Sequence, residues 1–194
     1  MIGIDIGGVL VSHEKDWAGA QKWHRTSDSI VPGALGGLSK LIFFLGASKV
    51  FLISFANEHE CNGGMRKKIK DWLHKEICIC AKTGLLKNNI IFTDHKTGSC
   101  GKGPIAVKHG ITHFIDDSLP VLQSIYDHTL ASTEKEPKAL FHFPRSGLLH
   151  KEIWADEKQN AQPACFKQVH NWTDVLDSMD LTGLETKEHI PEHI

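Results

Sequence analysis

The first stretch of the chain, MIGIDIGGVLV over 1–11, constrains the fold more than any other part of the sequence. Its apolar residues predict a short buried strand over 2–6, which carries Asp5 and runs into Gly7 and Gly8. A carboxylate at the end of an apolar strand is costly to bury unless a partner compensates its charge. Two glycines directly after it allow a sharp turn and a close approach of the backbone to a ligand. The stretch therefore predicts an anion or metal site at the carboxyl edge of a sheet.

The size and composition of the chain indicate one globular domain. The 194 residues are 41% apolar and 23% charged, which is enough for a core and unlike a disordered chain. We predict a single α/β domain over 1–182, with at most a small flap near 12–31 and a tail over 183–194. The formal net charge of −1 argues against a nucleic-acid surface dominated by charge.

No membrane anchor or secretion signal is expected from the sequence. No apolar run is long enough to span a bilayer, and no basic segment precedes an apolar run near the start. An odd number of widely spaced cysteines predicts reduced thiols and a cytoplasmic location. The five cysteines are Cys61, Cys78, Cys80, Cys100 and Cys165.

Apolar runs alternate with segments of helical periodicity along the chain, which is typical of a parallel α/β sheet. Four strands are predicted after the first, over 48–54, 89–93, 112–116 and 139–143. Helices are predicted over 34–46, 65–77, 104–109, 119–130 and 172–179. Asn171 is the expected N-cap of the last helix. The pattern predicts a three-layer, doubly wound parallel sheet of about five core strands.

Several other residues are expected to have structural rather than chemical roles. The charged run from Arg66 to Lys70 is interpreted as a solvated helix face. His142 and Arg145 are interpreted as ordinary surface or hydrogen-bonded residues, and the segment 145–168 has no assignable pattern. Tryptophan rings are expected to anchor the core and its helices rather than to hold substrate. The tryptophans are Trp17, Trp23, Trp72, Trp154 and Trp172.

Polar residues stand at the predicted carboxyl ends of three strands, namely Asp5, Ser54 and the pair Asp116–Asp117. In doubly wound sheets, ligands bind at this edge, where the order of the connections reverses. Converging carboxylates repel one another unless a cation lies between them, and hard oxygen ligands suit Mg²⁺. Structural roles remain open, because Asp5 can pair with a lysine, Ser54 can cap, and the Asp116–Asp117 pair can stabilise a helix N-terminus. The functional interpretation is a magnesium site.

Groups that bind phosphate are predicted beside the same acids. Ser54 can donate a hydrogen bond to a phosphate oxygen, and Lys102 can bring a point charge to it. Lys96 and Lys108 are alternatives, but Lys102 precedes the predicted helix. Backbone N–H groups that follow the two strand ends, those of Gly8 and Phe55, can form an anion-binding nest. A carboxylate in such a place can attack phosphorus and form an aspartyl-phosphate, which water then hydrolyses.

Four motifs in this order resemble those of the haloacid dehalogenase-like (HAD) superfamily. They are DIGGVL from Asp5, FLIS ending at Ser54, Lys102, and FIDDS over 114–118. The family consists mostly of Mg²⁺-dependent phosphatases with a doubly wound sheet. The resemblance therefore implies a HAD-like hydrolase with Mg²⁺ as its cofactor.

The resemblance also implies a role for individual residues. Asp5 would be the nucleophile and a metal ligand, and Gly7 would offer its carbonyl oxygen to the metal. Asp116 would complete the metal site, with Asp117 beside it. Ser54 and Lys102 would bind the phosphoryl group and take part in catalysis. The segments between the motifs are too short for a cap domain, which implies an open site for a small phosphorylated molecule or an exposed phosphate on a macromolecule.

The sequence departs from the family pattern at Gly7. Phosphatases of the family usually carry a second Asp there, two residues after the nucleophile, as general acid and base. Some branches lack it, including enzymes that cleave carbon–phosphorus or carbon–halogen bonds, so a hydrolase of that kind is an alternative to the phosphatase. His13 and Asp16 in the predicted flap are the nearest residues that can replace this acid. General acid–base catalysis of this kind increases a reaction rate by about 10²–10⁴-fold.

Two further functions stay open from the sequence. The first is a HAD-like fold without catalysis, kept as a binding or regulatory protein, which Gly7 favours. The second takes IGIDIGG as the first phosphate loop of an actin-like or sugar-kinase-like ATPase. Val9 follows where that loop usually carries a hydroxyl residue, and 194 residues are too few for the two domains of that fold.

Overall fold

Six parallel strands form one sheet in the computed structural model, which describes residues 1–12, 30–56, 64–143 and 163–179. The strand order across the sheet is β3-β2-β1-β4-β5-β6, and every neighbouring pair is parallel. The strands are β1 (Ile2–Ile4), β2 (Val50–Phe55), β3 (Ile90–Thr93), β4 (His113–Asp116), β5 (Ala139–His142) and β6 (Phe166–Gln168).

Helices cover both faces of the sheet, so the predicted three-layer, doubly wound architecture is confirmed. They are α1 (Ala34–Leu45), α2 (Gly64–Asp71), α3 (Ile79–Thr83), α4 (Lys102–Lys108), α5 (Leu119–Thr133) and α6 (Trp172–Ser178). One face packs against α1, α2, α3 and α6, and the other packs against α4 and α5. Because both faces are covered, the central strands are apolar along most of their length, as is typical of buried parallel strands.

The sheet changes direction beside its first strand. The chain builds β1, β2 and β3 outward on one side and then returns to place β4 on the other side of β1. Ile4 lies opposite Leu52 of β2 and opposite Ile115 of β4, so the next residues, Asp5 and Asp116, stand at the same level. This gap between β1 and β4 is the topological switch point at which α/β sheets bind ligands.

The sheet extends one strand beyond the five that the sequence predicted. The additional strand β6 lies within the segment 145–168 that showed no pattern, and it pairs with β5 through Leu140 and Phe166. It has only three residues, and two of them, Lys167 and Gln168, are polar and exposed. A short edge strand of this kind lacks the apolar run that marks a buried strand.

The region after β2 holds more helix than the sequence predicted. The single helix expected over 65–77 is α2 followed by a π-helical turn, Trp72–Glu76, in which the Ile77 N–H donates to the Trp72 carbonyl at 3.0 Å. Cys78 then takes a left-handed conformation with φ of 54°, and α3 follows it. The prediction of one helix between Ser54 and Lys102 was therefore wrong, because a change of helix type concealed the second start.

The C-terminal helix α6 connects the first loop to the core. Asn171 caps it as predicted, since its side chain accepts from the Asp174 N–H at 2.9 Å. Trp172, 2% exposed, donates its indole N–H to the Val9 carbonyl at 3.0 Å. Its ring also fills the space beside Gly37 of α1, where a Cβ would overlap it. Trp72 is buried as well, so both described tryptophans are packing residues as expected.

Several sequence-based predictions fall outside the described residues. They are most of the flap near 12–31, the tail over 183–194, His13, Asp16, Arg145, Cys61 and Trp17, Trp23 and Trp154. Within the part that the structure describes, no helix is both long and apolar enough to cross a membrane.

Stability should depend on His113 in mildly acidic solution. Burial, helped by the positive charges of the Met1 ammonium, Lys138 and Lys167, lowers the pKa of His113 from 6.5 to about 4. The unfolded chain therefore binds a proton below pH 6.5 that the folded protein binds only near pH 4. The contribution of neutral His113 to the free energy of unfolding is therefore fully present above pH 6.5, and it is lost as the pH drops from 6.5 towards 4. Urea unfolding of wild type and His113→Gln at several pH values should show the smaller loss in the variant; parallel losses would contradict this.

Candidate active site

A buried lysine lies between two carboxylates at the switch point. The Lys102 ammonium is 2.9 Å from Asp5 Oδ1 and 2.7 Å from Asp116 Oδ2. Lys102 is 2% exposed, Asp5 is 7% exposed and Asp116 is fully buried. A charge buried this deeply requires a close partner, and here three charged groups satisfy one another.

Local backbone structure positions each of the two acids. The Asp5 N–H donates to the Ile115 carbonyl at 2.9 Å, which fixes the end of β1 against β4. Asp5 Oδ1 also accepts the Ile6 N–H at 2.7 Å. Asp116 Oδ1 accepts the Ser118 N–H at 3.0 Å, so the start of α5 orients this carboxylate. Both side chains therefore have one oxygen oriented by the turn that follows their strand.

Lys102 enters the site from the first turn of α4. The sequence predicted a helix over 104–109 preceded by Lys102, whereas α4 is Lys102–Lys108 and this lysine is its first residue. Gly101 is extended and carries no capping side chain, so no start signal marked the true beginning. Lys96 is on the loop and Lys108 is exposed at the other end of α4. Of the three candidates, the structure therefore brings Lys102 to the acids.

Asp117 completes a cluster of three carboxylates and packs against the first loop. One oxygen each from Asp5, Asp116 and Asp117 lie within 4.8 Å of one another. Gly8 has φ of 81°, and a Cβ built on it would overlap the Asp117 carboxylate. Gly8 is thus required both by its left-handed backbone and by the close approach of Asp117.

The donor set of this cluster fits a magnesium ion. Three carboxylate oxygens are hard ligands, and Mg²⁺ binds such oxygens at about 2.0–2.1 Å, so a small contraction would bring all three onto one ion. The three acids and Lys102 together carry a charge of −2 when all are ionised, which a divalent cation balances. The metal-ligand roles of Asp5, Asp116 and Asp117 nevertheless stay predictions, as does the carbonyl of Gly7.

The ionisation of the cluster reflects its burial. Burial raises the pKa of Asp116 to about 7, and the carboxylates of Asp5 and Asp117 raise it while Lys102 lowers it. Burial lowers the pKa of Lys102, but the attraction of Asp116 and Asp5 outweighs burial and raises it. Lys102 is therefore a permanent cation, and the site has an excess of negative charge that favours a bound metal.

The groups predicted to bind phosphate lie at the end of the next strand. Ser54 is buried and stands two residues beyond Leu52, which is opposite Ile4, so it is one level beyond Asp5. Phe55 ends β2 and is 36% exposed at the same edge. Their roles in phosphate binding, and those of Gly8 and Lys102, stay predictions.

One contact near the site had no signal in the sequence. The indole of Trp172 holds the Val9 carbonyl, one residue after Gly8, although the two residues are 163 positions apart. The loop closes on itself as well, since the Gly8 N–H donates to the Val11 carbonyl at 2.7 Å. A buried tryptophan was predicted as a packing residue, but nothing in its spacing indicated which backbone group it would bind.

Comparisons with known proteins support the fold. No protein-family model matches the sequence, and a comparison with curated proteins found no match. The chain is similar to the solved D,D-heptose 1.7-bisphosphate phosphatase from B. bronchiseptica complexed with magnesium and phosphate, with TM-score 0.56 and 16% identity over 91% of this chain and 96% of that chain. The structure of DsGPDH of Dunaliella salina has a TM-score of 0.41 and 17% identity, over 73% of this chain and 23% of that chain. This similarity is too low to show a shared fold. The first similarity shows a shared Rossmann-like α/β fold.

Removal of the lysine should leave the acids without their cation. We expect Lys102→Met to lower the free energy of unfolding by about 3–5 kcal/mol at low metal, since it leaves buried carboxylates unpaired. Saturating Mg²⁺ should restore part of this loss and stabilise the variant more than it stabilises wild type. Urea unfolding with and without Mg²⁺ measures both effects. Lys108→Met, exposed on the same helix, is the control, and equal losses in the two variants would contradict the prediction.

A methyl group at Gly8 should weaken metal binding. Gly8→Ala would displace the Asp117 carboxylate, so we expect Mg²⁺ affinity to fall by about 10–100-fold, as for lost ligand-orienting contacts. Gly46→Ala is the matched control, because Gly46 has a similar φ of 88° but a Cβ there meets nothing within 4 Å. Calorimetric titration with Mg²⁺ compares the two. Unchanged affinity in Gly8→Ala would show that Asp117 is not a ligand.

Proposed function

We propose that the protein is a Mg²⁺-dependent phosphohydrolase that works through an aspartyl-phosphate on Asp5. The observation that carries the proposal is the convergence of Asp5, Asp116 and Asp117 within 4.8 Å, with Lys102 bonded to the first two. The HAD-like motifs carry the same residues in the same order. A phosphatase of similar fold, solved with magnesium and phosphate, supports the same reaction class.

Asp5 is oriented for attack on phosphorus. Among the described residues, Asp5 Oδ1 accepts a hydrogen bond from the Ile6 N–H and also forms the ion pair with Lys102. The other oxygen, Oδ2, is left to form a bond to phosphorus while the bond from phosphorus to the leaving oxygen breaks. Water then attacks the aspartyl-phosphate, releases inorganic phosphate and regenerates the carboxylate.

Charge compensation is the main contribution of the surrounding residues. A phosphate dianion would meet three carboxylates, and their repulsion must be offset before Asp5 can approach it. Bound Mg²⁺ would supply this by polarising a phosphoryl oxygen and screening the acids. Lys102 holds a second positive charge at Asp5, and we propose that the Ser54 hydroxyl and the Gly8 and Phe55 N–H groups bind the remaining phosphoryl oxygens.

Protonation of the leaving group defines which substrates react well. Gly7 stands where the family usually has an acid, so the leaving oxygen must take its proton from another group or from water. His13 and Asp16 remain the proposed replacements. Esters with good leaving groups, such as aryl phosphates, should therefore react much faster than alkyl phosphates.

Loss of the nucleophile should abolish turnover. We expect Asp5→Asn to lower kcat for p-nitrophenyl phosphate at least about 10³-fold, because an amide cannot attack phosphorus. When the reaction with phosphate-labelled ester is quenched in acid, the radioactive phosphoryl group should remain bound to the wild-type protein and not to the variant. Asp177→Asn, an exposed acid on α6, is the control and should retain full activity.

The same assay decides the second candidate function, a binding protein without catalysis, which Gly7 favours. Turnover that needs Mg²⁺ and is lost only in Asp5→Asn supports the phosphohydrolase. Binding of Mg²⁺ and phosphate by wild type without any turnover would instead support the binding protein. Equal activity in all three proteins would come from a contaminant and would contradict the proposed role of Asp5.

A further inference from the structure

An open cleft of about 420 Å³ lies between helix α2 and the edge strand β3. Its helical wall carries three cationic residues and one acid, and its strand wall carries Ile90 and Phe92. The charged residues are Arg66, Lys67, Lys70 and Asp71. From the sequence, the charged run from Arg66 to Lys70 was predicted to be a solvated helix face. Lys67, Lys68 and Lys70 are exposed, in agreement with that interpretation, and part of the run also lines a concave surface with an apolar wall opposite.

The cleft has an excess of positive charge. Over 64–77 the chain carries five cationic residues, at 66, 67, 68, 70 and 75, against two acids, at 71 and 76, in a protein whose net charge is −1. Asp71 binds Lys67 at 2.5 Å and Lys75 at 3.2 Å. Lys70 makes no ion pair within the described residues, and its ammonium is 5.5 Å from the centre of the Phe92 ring.

The start of α2 is held at the same edge of the sheet as the candidate active site. Arg66 Nε donates to the Ala56 carbonyl at 2.9 Å, two residues beyond Ser54, and its guanidinium binds Asp94, just after β3, at 2.6 Å. Since neighbouring strands are about 4.8 Å apart, β3 lies roughly 10 Å across the sheet from β1. A ligand that bridges Asp5 and this cleft therefore has to span at least this separation.

More positive charge stands along the same edge. Lys96, on the loop that follows β3, places its ammonium 5.9 Å from the centre of the Phe55 ring at the end of β2. The positively charged surface thus extends from the phosphate end of β2 towards the cleft. Because the chain as a whole carries a charge of −1, this local excess of positive charge is balanced by acids elsewhere in the sequence.

We propose that this cleft is an anion subsite that binds a second anionic group, phosphate or carboxylate, of a small-molecule substrate whose reacting phosphate lies at Asp5. The assignment rests on the proposed phosphohydrolase function. Lys70 supplies the uncompensated charge, and Lys67 supplies a second donor at the cost of its bond to Asp71. The concave shape and the roughly 10 Å separation favour a small molecule with two anionic ends over an extended polyanion.

The test compares alkanediol bisphosphates, from propanediol to octanediol, with the matching monophosphates. At the best chain length, KM for the bisphosphate should be about tenfold lower than for the monophosphate. Lys70→Gln should abolish this preference and leave kcat for the monophosphate unchanged. Lys68→Gln is the matched control, since Lys68 is exposed on the same helix and does not line the cleft.

The outcomes separate the subsite from the reaction. Equal KM for both ester classes, with p-nitrophenyl phosphate still hydrolysed, would overturn the subsite and leave the phosphohydrolase standing. If no ester is hydrolysed, calorimetric binding of octanediol bisphosphate to wild type and Lys70→Gln decides the subsite alone, and equal affinities overturn it. Tight binding of single-stranded oligonucleotides, weakened equally by both lysine substitutions, would also overturn the small-molecule assignment.

Discussion

The buried ion pair network of Lys102 with Asp5 and Asp116 is the interaction on which the rest of the structure depends. An ammonium and two carboxylates without their water are strongly unfavourable apart and tolerable only together. The three groups come from the residue that follows β1, from the start of α4 and from the end of β4. The sheet must therefore bring β1 and β4 side by side, and α4 must begin at their carboxyl ends.

The order of the strands satisfies this requirement. Because the chain returns across β1 to build β4, the two acidic strand ends meet at the switch point rather than at separate edges. The helices then define the surroundings. Asp116 is oriented by the N–H of Ser118 before α5, and Asp117 by its close packing on Gly8. The result is a negatively charged cluster with one internal cation, which is a favourable starting point for a divalent metal.

Much of this arrangement could be predicted from the sequence, because apolar strands that end in acids have a simple physical interpretation. The five buried strands and the convergence of Asp5 with Asp116 follow from that pattern. The start of α4 could not be predicted, since Gly101 offers no capping side chain. The helix α3 was concealed behind the left-handed Cys78, and the polar edge strand β6 had no apolar run. Contacts between distant segments, such as the cleft beside Phe92, leave no local pattern at all.

The bond from Trp172 to the Val9 carbonyl has a consequence for biosynthesis. The two residues are 163 positions apart, so the ribosome synthesises the loop after Asp5 long before the tryptophan that supports it. At translation rates of 5–20 residues per second, roughly 10–30 s separate the two events. During that interval the loop lacks its indole donor, and β5 and β6 are also still to be added to the sheet. The loop that follows Asp5 therefore gains its full support only after α6 has been synthesised, and an early folding fragment lacks that support.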